Sequence, residues 1–212
     1  MIAAALLALL LLPAGAVPDP ILDDKKVDGS HGRFEGDLAV VVGAGATIGP
    51  RAPRGTLDVR LRYLSSAGVF ATYEDGFGGS VPRRALALGL EVRPLFLARW
   101  GTNDEIGTRP RLDLVIDSIA LEVGALFSEP AGTKFLGRRG LQAGIGVVFP
   151  FFDRATGPFF AMHGGCRWSD NALGGGPIEG PGDRALFLTL EVGWQQLFGG
   201  HVVDLGDRRQ DP

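Results

Sequence analysis

Three histidines, one cysteine and a scatter of serines and carboxylates are the side chains of this chain most able to do chemistry. His163 is the most suggestive, because Ser169 and Asp170 follow it. Histidine, a hydroxyl and an acid are the set that acyl hydrolysis uses. The spacing argues against it: six or seven positions along an extended strand amount to about 20 Å. Ser65, Ser66, Ser80, Ser118 and Ser128 fall elsewhere. His163 therefore reads as a hydrogen-bonding side chain, with Glu191 as a candidate partner on a neighbouring strand. Asp113 and Asp117, four apart, could begin a calcium site, but arginines nearby make ion pairing the first reading. Residues 43–49 (GAGATIG) imitate a GxGxxG spacing, yet the third glycine comes one position late and no helix follows. Cys166 is the single cysteine, which excludes an internal disulfide and a cysteine-based metal centre. No cofactor and no metal are expected.

The elements that must position these side chains are strands. Residues 184–198 set the pattern: Leu186, Leu188, Leu190, Val192, Trp194, Gln196 and Phe198 alternate with Phe187, Thr189, Glu191, Gly193 and Gln195. Period two with two unlike faces is a β-strand. Similar alternation marks residues 34–48, 57–63, 69–74, 86–100, 111–127, 141–151 and 160–168, giving eight strands. Pro94 lies inside the fourth and predicts a bulge or break there. In the fifth, the apolar phase shifts after Ser118, which a bulge would produce; a short helix over 119–126 is the alternative.

The polar faces carry Glu35, Asp37, Asp58, Glu74, Glu91, Asp113, Asp117 and Glu191 against Arg60, Arg62, Arg93, Arg99, Arg111 and Arg167. His163 falls on the same set of faces. The apolar faces carry almost no charge over lengths near those of a tilted membrane strand. An arginine at mid-membrane would cost about 2–4 kcal/mol, so that absence is informative. Aromatics collect toward the ends of the apolar faces: Phe34, Tyr63, Tyr73, Trp100, Phe149, Phe151, Trp168, Trp194 and Phe198. Interfacial girdles are placed this way. Alternation alone does not say which face is inside, and a soluble sandwich or a soluble periplasmic lipocalin-like barrel binding a lipophilic ligand is the alternative. Joins after strands one, three, five and seven are mostly long, those after two and six short, and that after four intermediate.

The 212 residues suffice for one domain, and a formal charge of −3 excludes a global field that recruits nucleic acid. Residues 1–16 (MIAAALLALLLLPAGA) hold an apolar run too short to span a bilayer, then Pro13 and an A-x-A site. They read as a signal peptide, although no Lys or Arg precedes the apolar run. A mobile tail over 17–32, with His31, a barrel over 33–198 and a polar tail over 199–212 complete the expected organisation.

The whole pattern resembles the small eight-stranded outer-membrane β-barrel proteins of Gram-negative bacteria. The resemblance covers residues 33–198 and lies in the pattern. Leu190, Val192, Trp194 and Phe198 match that family's closing strand with its terminal Phe; Gln196 and the tail after Phe198 depart from it. The resemblance implies an all-β, eight-stranded antiparallel up-and-down transmembrane barrel, in the outer membrane after signal-peptide cleavage. It implies insertion by the barrel assembly machinery and a monomer among lipid and lipopolysaccharide. Eight strands leave room only for side chains. The expected lumen network is Glu35, Asp37, Asp58, Arg60, Arg62, Glu74, Glu91, Arg93, Asp113, Asp117, His163, Arg167 and Glu191, with a narrow ion path or gate as its functional alternative. Arg51, Arg54, Arg83, Arg84, Arg138 and Arg139, together with Lys134, are expected on outer loops as lipopolysaccharide contacts. The role implied is structural or interactive, without a wide pore. Some members act on lipid A, so a lipid A acyl hydrolase or transferase is the enzyme alternative.

Overall fold

Alternating stretches fold as strands, and in the computed structural model the strands close on one another. They are β1 (Leu38–Ile48), β2 (Arg54–Tyr63), β3 (Ala67–Asp75), β4 (Arg84–Val92), β5 (Ala120–Ser128), β6 (Arg138–Pro150), β7 (Gly157–Ser169) and β8 (Arg184–Phe198). Each pairs antiparallel with its sequence neighbours, and β8 pairs with β1, so the sheet is a closed up-and-down barrel. The structure describes residues 38–50, 52–77, 82–102, 109–129, 134–135, 137–178, 180 and 182–198. The expected signal peptide, the 17–32 tail with His31, residues Phe34, Glu35, Asp37 and Arg51, and the 199–212 tail lie outside the described residues.

Stepping sideways from Ile48 through Leu188, Gly164, Ile145, Leu121, Val92, Ala67 and Tyr63 returns to β1 at Leu38, ten residues from the start. Eight strands with such a stagger tilt by about 35–45° and enclose a space that side chains fill.

The two faces of each strand meet opposite surroundings. Ala39, Val41 and Thr47 of β1 point inward, as do Asp58, Arg60 and Arg62 of β2 and His163 and Arg167 of β7. Leu57, Leu61, Leu88, Leu90, Leu121 and Ile145 are exposed on the outside, Leu90 at 59% and Leu186 at 72%. The apolar faces are therefore outside, and the lipocalin-like alternative, which needs them inside, does not hold.

Two helices break the strand pattern. Residues up to 100 were expected to continue the fourth strand past a bulge or break at Pro94, 101–110 to turn the chain, and 111–117 to begin the fifth; the strand does end before Pro94. Beyond it the chain forms α1 (Pro94–Thr102) and α2 (Pro110–Asp117) instead. Proline cannot donate to a ladder but suits the first helical turn, where its missing N–H has no partner to lose. Asp113 and Asp117 are fully buried on one face of α2, and Arg99 of α1 bonds both carboxylates. Of residues 119–126, the alternative helix, 120–126 belong to the strand β5. Ser118 joins the hairpin to the barrel: its Oγ accepts from Val148 N at 2.8 Å and lies 3.0 Å from Val148 O. It takes the ladder position just before β5 begins.

The join after β4 is thus the longest, not intermediate. It lies at the barrel end that also holds the turns 64–66 and 151–156, the start of β1 and the finish of β8. Leu114 and Ser118 of α2 line a cavity of about 30 Å³ there with Arg93, Val148, Phe159 and Gln195. The joins after β1, β3, β5 and β7 gather at the opposite end, where the short α3 (Asp170–Leu173) is capped by Ser169 Oγ accepting from Ala172 N.

Candidate functional site

The barrel interior concentrates the titratable side chains. Alternation dictates it: any charge on the inward register of a strand must be enclosed, and an enclosed charge needs a partner because the desolvation cost is several kcal/mol. Arg60 of β2 is the hub. Its Nε donates to Asp58 Oδ2 at 2.6 Å, and its Nη1 to Glu91 Oε2 at 2.7 Å and Glu122 Oε1 at 2.5 Å. Its guanidinium lies 5.3 Å from the centre of the Phe70 ring. Glu91 and Glu122 face one another directly across β4 and β5. Two carboxylates opposed in that way repel, so the shared Nη1 is what makes the juxtaposition tolerable. Arg62 donates from Nε to Glu91 and from Nη1 to Gln195 Oε1 at 2.9 Å. Thr72 Oγ1 donates to Asp58 Oδ1 at 2.5 Å.

His163 sits within this cluster. Its Nδ1 is 2.8 Å from Glu122 Oε1 and its Nε2 is 3.3 Å from Glu191 Oε1. Arg60 Nη2 approaches Nδ1 at 3.3 Å. Ser169, at the far end of the same strand, bonds Asp183 at 2.6 Å. The structure thus sets the histidine and that serine in separate networks. Glycines opposite make the room. A Cβ on Gly43 would lie 2.9 Å from the Glu191 carboxyl carbon, and one on Gly146 would lie 2.7 Å from Glu122 Oε1.

A second group lies toward the loop end. Glu74 accepts from Arg54 Nη1 and Arg167 Nη1, each at 3.0 Å, and also from Arg167 Nη2. Arg167 Nε donates to Gln142 Oε1 at 2.8 Å, and its guanidinium lies 4.2 Å from the centre of the Phe187 ring. Thr47 bridges Thr56 and Thr189 at 2.7 Å each. Five carboxylates (Asp58, Glu74, Glu91, Glu122 and Glu191) and five arginines (Arg54, Arg60, Arg62, Arg93 and Arg167) are buried on strands or, for Arg93, immediately after one. Near-equal numbers are what a closed, low-dielectric space requires.

Of the residues expected in the lumen, Asp58, Arg60, Arg62, Glu74, Glu91, His163, Arg167 and Glu191 come together there. Arg93 is buried at the helix end. Asp113 and Asp117 do not belong to the lumen: they serve the α1–α2 clamp, as does Arg99. Arg111 is on the surface of α2, paired with Asp153. Glu122 was missed: the apolar phase expected after Ser118, on Leu121, Val123, Ala125 and Phe127, sets it on the inward face, but the helix alternative over 119–126 left that register open. Arg54 was expected on an outer loop; it is the first residue of β2 and is buried against Glu74. Its neighbours Pro53 and Gly55 gave a loop signal that hid the inward register. Among the other expected surface arginines, Arg83 and Arg139 are exposed, Arg84 lies 3.6 Å from Asp75, and Arg138 bonds Asp183. Lys134 is exposed in the join after β5.

Among the described residues no group of three or more His, Cys, Asp or Glu side chains is placed to hold a metal ion. Cys166 is free and half-buried. Among the same residues no helix is long and apolar enough to cross a membrane, which leaves strand-built crossing open. No protein-family model matches the chain, and no curated protein or solved structure matches it.

Proposed function

We propose that this chain is an outer-membrane β-barrel protein with a lumen filled by ion pairs and a structural or interaction role at the cell surface. One observation carries the reading: the barrel is inverted, with leucine, valine and aromatic side chains outside and charges within. Outward Leu57, Leu61, Val69, Leu90, Val123, Ile145 and Val192 form an apolar belt around the closed sheet. Contiguous apolar surface of that extent marks contact with lipid or protein rather than water, and closure leaves no edge strand unpaired, as a bilayer demands. Phe149, Trp194 and Phe198 stand on the outer face toward the helix end, where an interfacial girdle would lie. In this reading an N-terminal signal peptide directs export and the barrel assembly machinery inserts the chain as a monomer. The helix end faces the periplasm and the loop end faces outward among lipopolysaccharide.

The protein should stay folded only in detergent or lipid, and unheated samples should migrate differently from boiled ones on a gel. In liposomes, lipid-borne quenchers should reduce Trp194 fluorescence while aqueous iodide does not. Planar bilayers should show no porin-sized steps. A monodisperse folded protein in plain buffer, with Trp194 open to iodide, would sink the membrane reading. A change in lipid A acyl chain count caused by the protein would replace the structural role with an enzymatic one.

A further inference from the structure

We infer that the loop-end mouth of the barrel is a binding site for a phosphate-class oxyanion. A cleft of about 80 Å³ opens there, with Arg54, Arg138, Arg139, Arg167, Ser128 and Ser169 among its lining residues. A single water needs roughly 10–15 Å³ on the same measure, so the space admits a tetrahedral oxyanion rather than one solvent molecule. Arg167 is 8% exposed and fixed on three sides. Gln142 accepts from its Nε, Glu74 accepts from both Nη atoms, and Phe187 stacks on its plane. A guanidinium has five N–H donors, so among the described residues one on each Nη of Arg167 remains after these three bonds, the two on opposite edges of the group. Arg138 bonds Asp183 through Nη2 alone among the described residues, while part of its side chain stays open to the cleft. Glu74 and Asp183 are the carboxylates bonded by the cleft's arginines, against Arg54, Arg138, Arg139 and Arg167, so among these described residues cationic groups outnumber anionic ones. Arginine donors around an open cavity recognise phosphate better than halide, because its several oxygens can accept directed N–H groups from more than one guanidinium. The inference rests on the cleft alone and stands whether or not the belt faces lipid.

The test is calorimetric titration of the detergent-folded full chain with inorganic phosphate at constant ionic strength, with chloride as the competing ion. Saturable one-to-one binding that chloride does not displace is expected. Arg138→Gln should weaken it by at least about tenfold, the usual weight of a charge-assisted hydrogen bond. Arg167→Lys keeps the charge, loses the fixed guanidinium donors, and should also weaken it. Arg184→Gln removes an exposed arginine of the same rim outside the cleft and should leave it unchanged. Phosphate could reach the site free or as a lipid headgroup. Phosphatidylcholine vesicles with and without phosphatidic acid separate the two: loss of free-phosphate binding only with phosphatidic acid identifies a headgroup, and undiminished binding identifies a soluble anion. Absence of saturable binding would overturn the inference. So would equal weakening by Arg184→Gln, which would mean diffuse attraction to a basic rim.

Discussion

Replacing Arg60 by methionine tests whether the lumen is a dry ion-paired core. The guanidinium contacts Asp58, Glu91 and Glu122 at once. Methionine keeps most of the volume and removes the charge, leaving three carboxylates that share Arg62, His163 and the Thr72 hydroxyl among the partners described above. Glu91 and Glu122 stay opposed across β4 and β5. At about 5 Å, with an effective dielectric of about 20, their repulsion is about 3 kcal/mol. Removing one partner of a buried ionic group generally costs about 3–5 kcal/mol, so the two routes agree. The expected result is a loss of about 3–5 kcal/mol in urea unfolding of the detergent-folded protein, followed by tryptophan fluorescence and by unheated gel mobility. Adding Glu122→Gln should recover about 2–3 kcal/mol, because it removes one of the opposed charges and the two sites are in contact. If Arg60→Met stays within about 0.5 kcal/mol of the parent, or Glu122→Gln does not rescue it, water screens the lumen charges and the closed-core reasoning fails.

Three further perturbations follow from the same geometry. Leu90→Arg, on an outward residue of the belt, should cost about 2–4 kcal/mol in lipid if it lies near mid-membrane; refolding yields in vesicles and in plain buffer separate that outcome from the neutral effect expected in water. Gly146→Val should destabilise by about 1–3 kcal/mol, since its Cβ would press on Glu122 and His163, whereas Gly164→Ala, where the nearest atom is 3.7 Å from the new Cβ, should be close to neutral in the same unfolding assay. Arg99→Gln should weaken the α1–α2 hairpin by about 2–3 kcal/mol, read as faster amide hydrogen exchange confined to residues 94–117 with barrel amides unchanged.

Strand faces were legible because a period of two is set by the pleat and every strand repeats it. The inward sets of β2, β7 and β8 could be read residue by residue for that reason. The region from Arg93 to Glu122 could not. Leu112, Leu114 and Ile116 alternate with Arg111, Asp113 and Asp117, which fits a strand; four-residue spacing also places Asp113 and Asp117 on one helical face. An even spacing cannot separate the two periods. What separated them was proline: Pro94 and Pro110 each open a helix, a positional preference that outweighs the local alternation. The lost register then hid Glu122, the carboxylate that ties His163 to Arg60. Arg54 was hidden differently, since a strand's first residue sits among the turn-forming residues that precede it.

The distribution of charge also says where stability has to come from. Buried ion pairs contribute little net stability against a hydrophobic alternative, because desolvation offsets most of their attraction. Among the described residues the buried apolar side chains are scattered and several are alanines, and Val41, Val148, Phe159 and Ala161 form a small cluster toward the helix end of the lumen. In water, the outward leucines and valines would remain solvated and add nothing to the folded state. At about 25 cal/mol per Å² of apolar area removed from solvent, covering that belt would stabilise this fold in proportion to its area. The lumen then serves a different purpose. Each charge there requires the partner that the neighbouring strand supplies, so a register slip of one residue would point the charges outward and draw the leucines in. The ion network selects the register, and an apolar medium around the belt would stabilise it, which is the physical ground of the proposal that this chain sits in a bilayer.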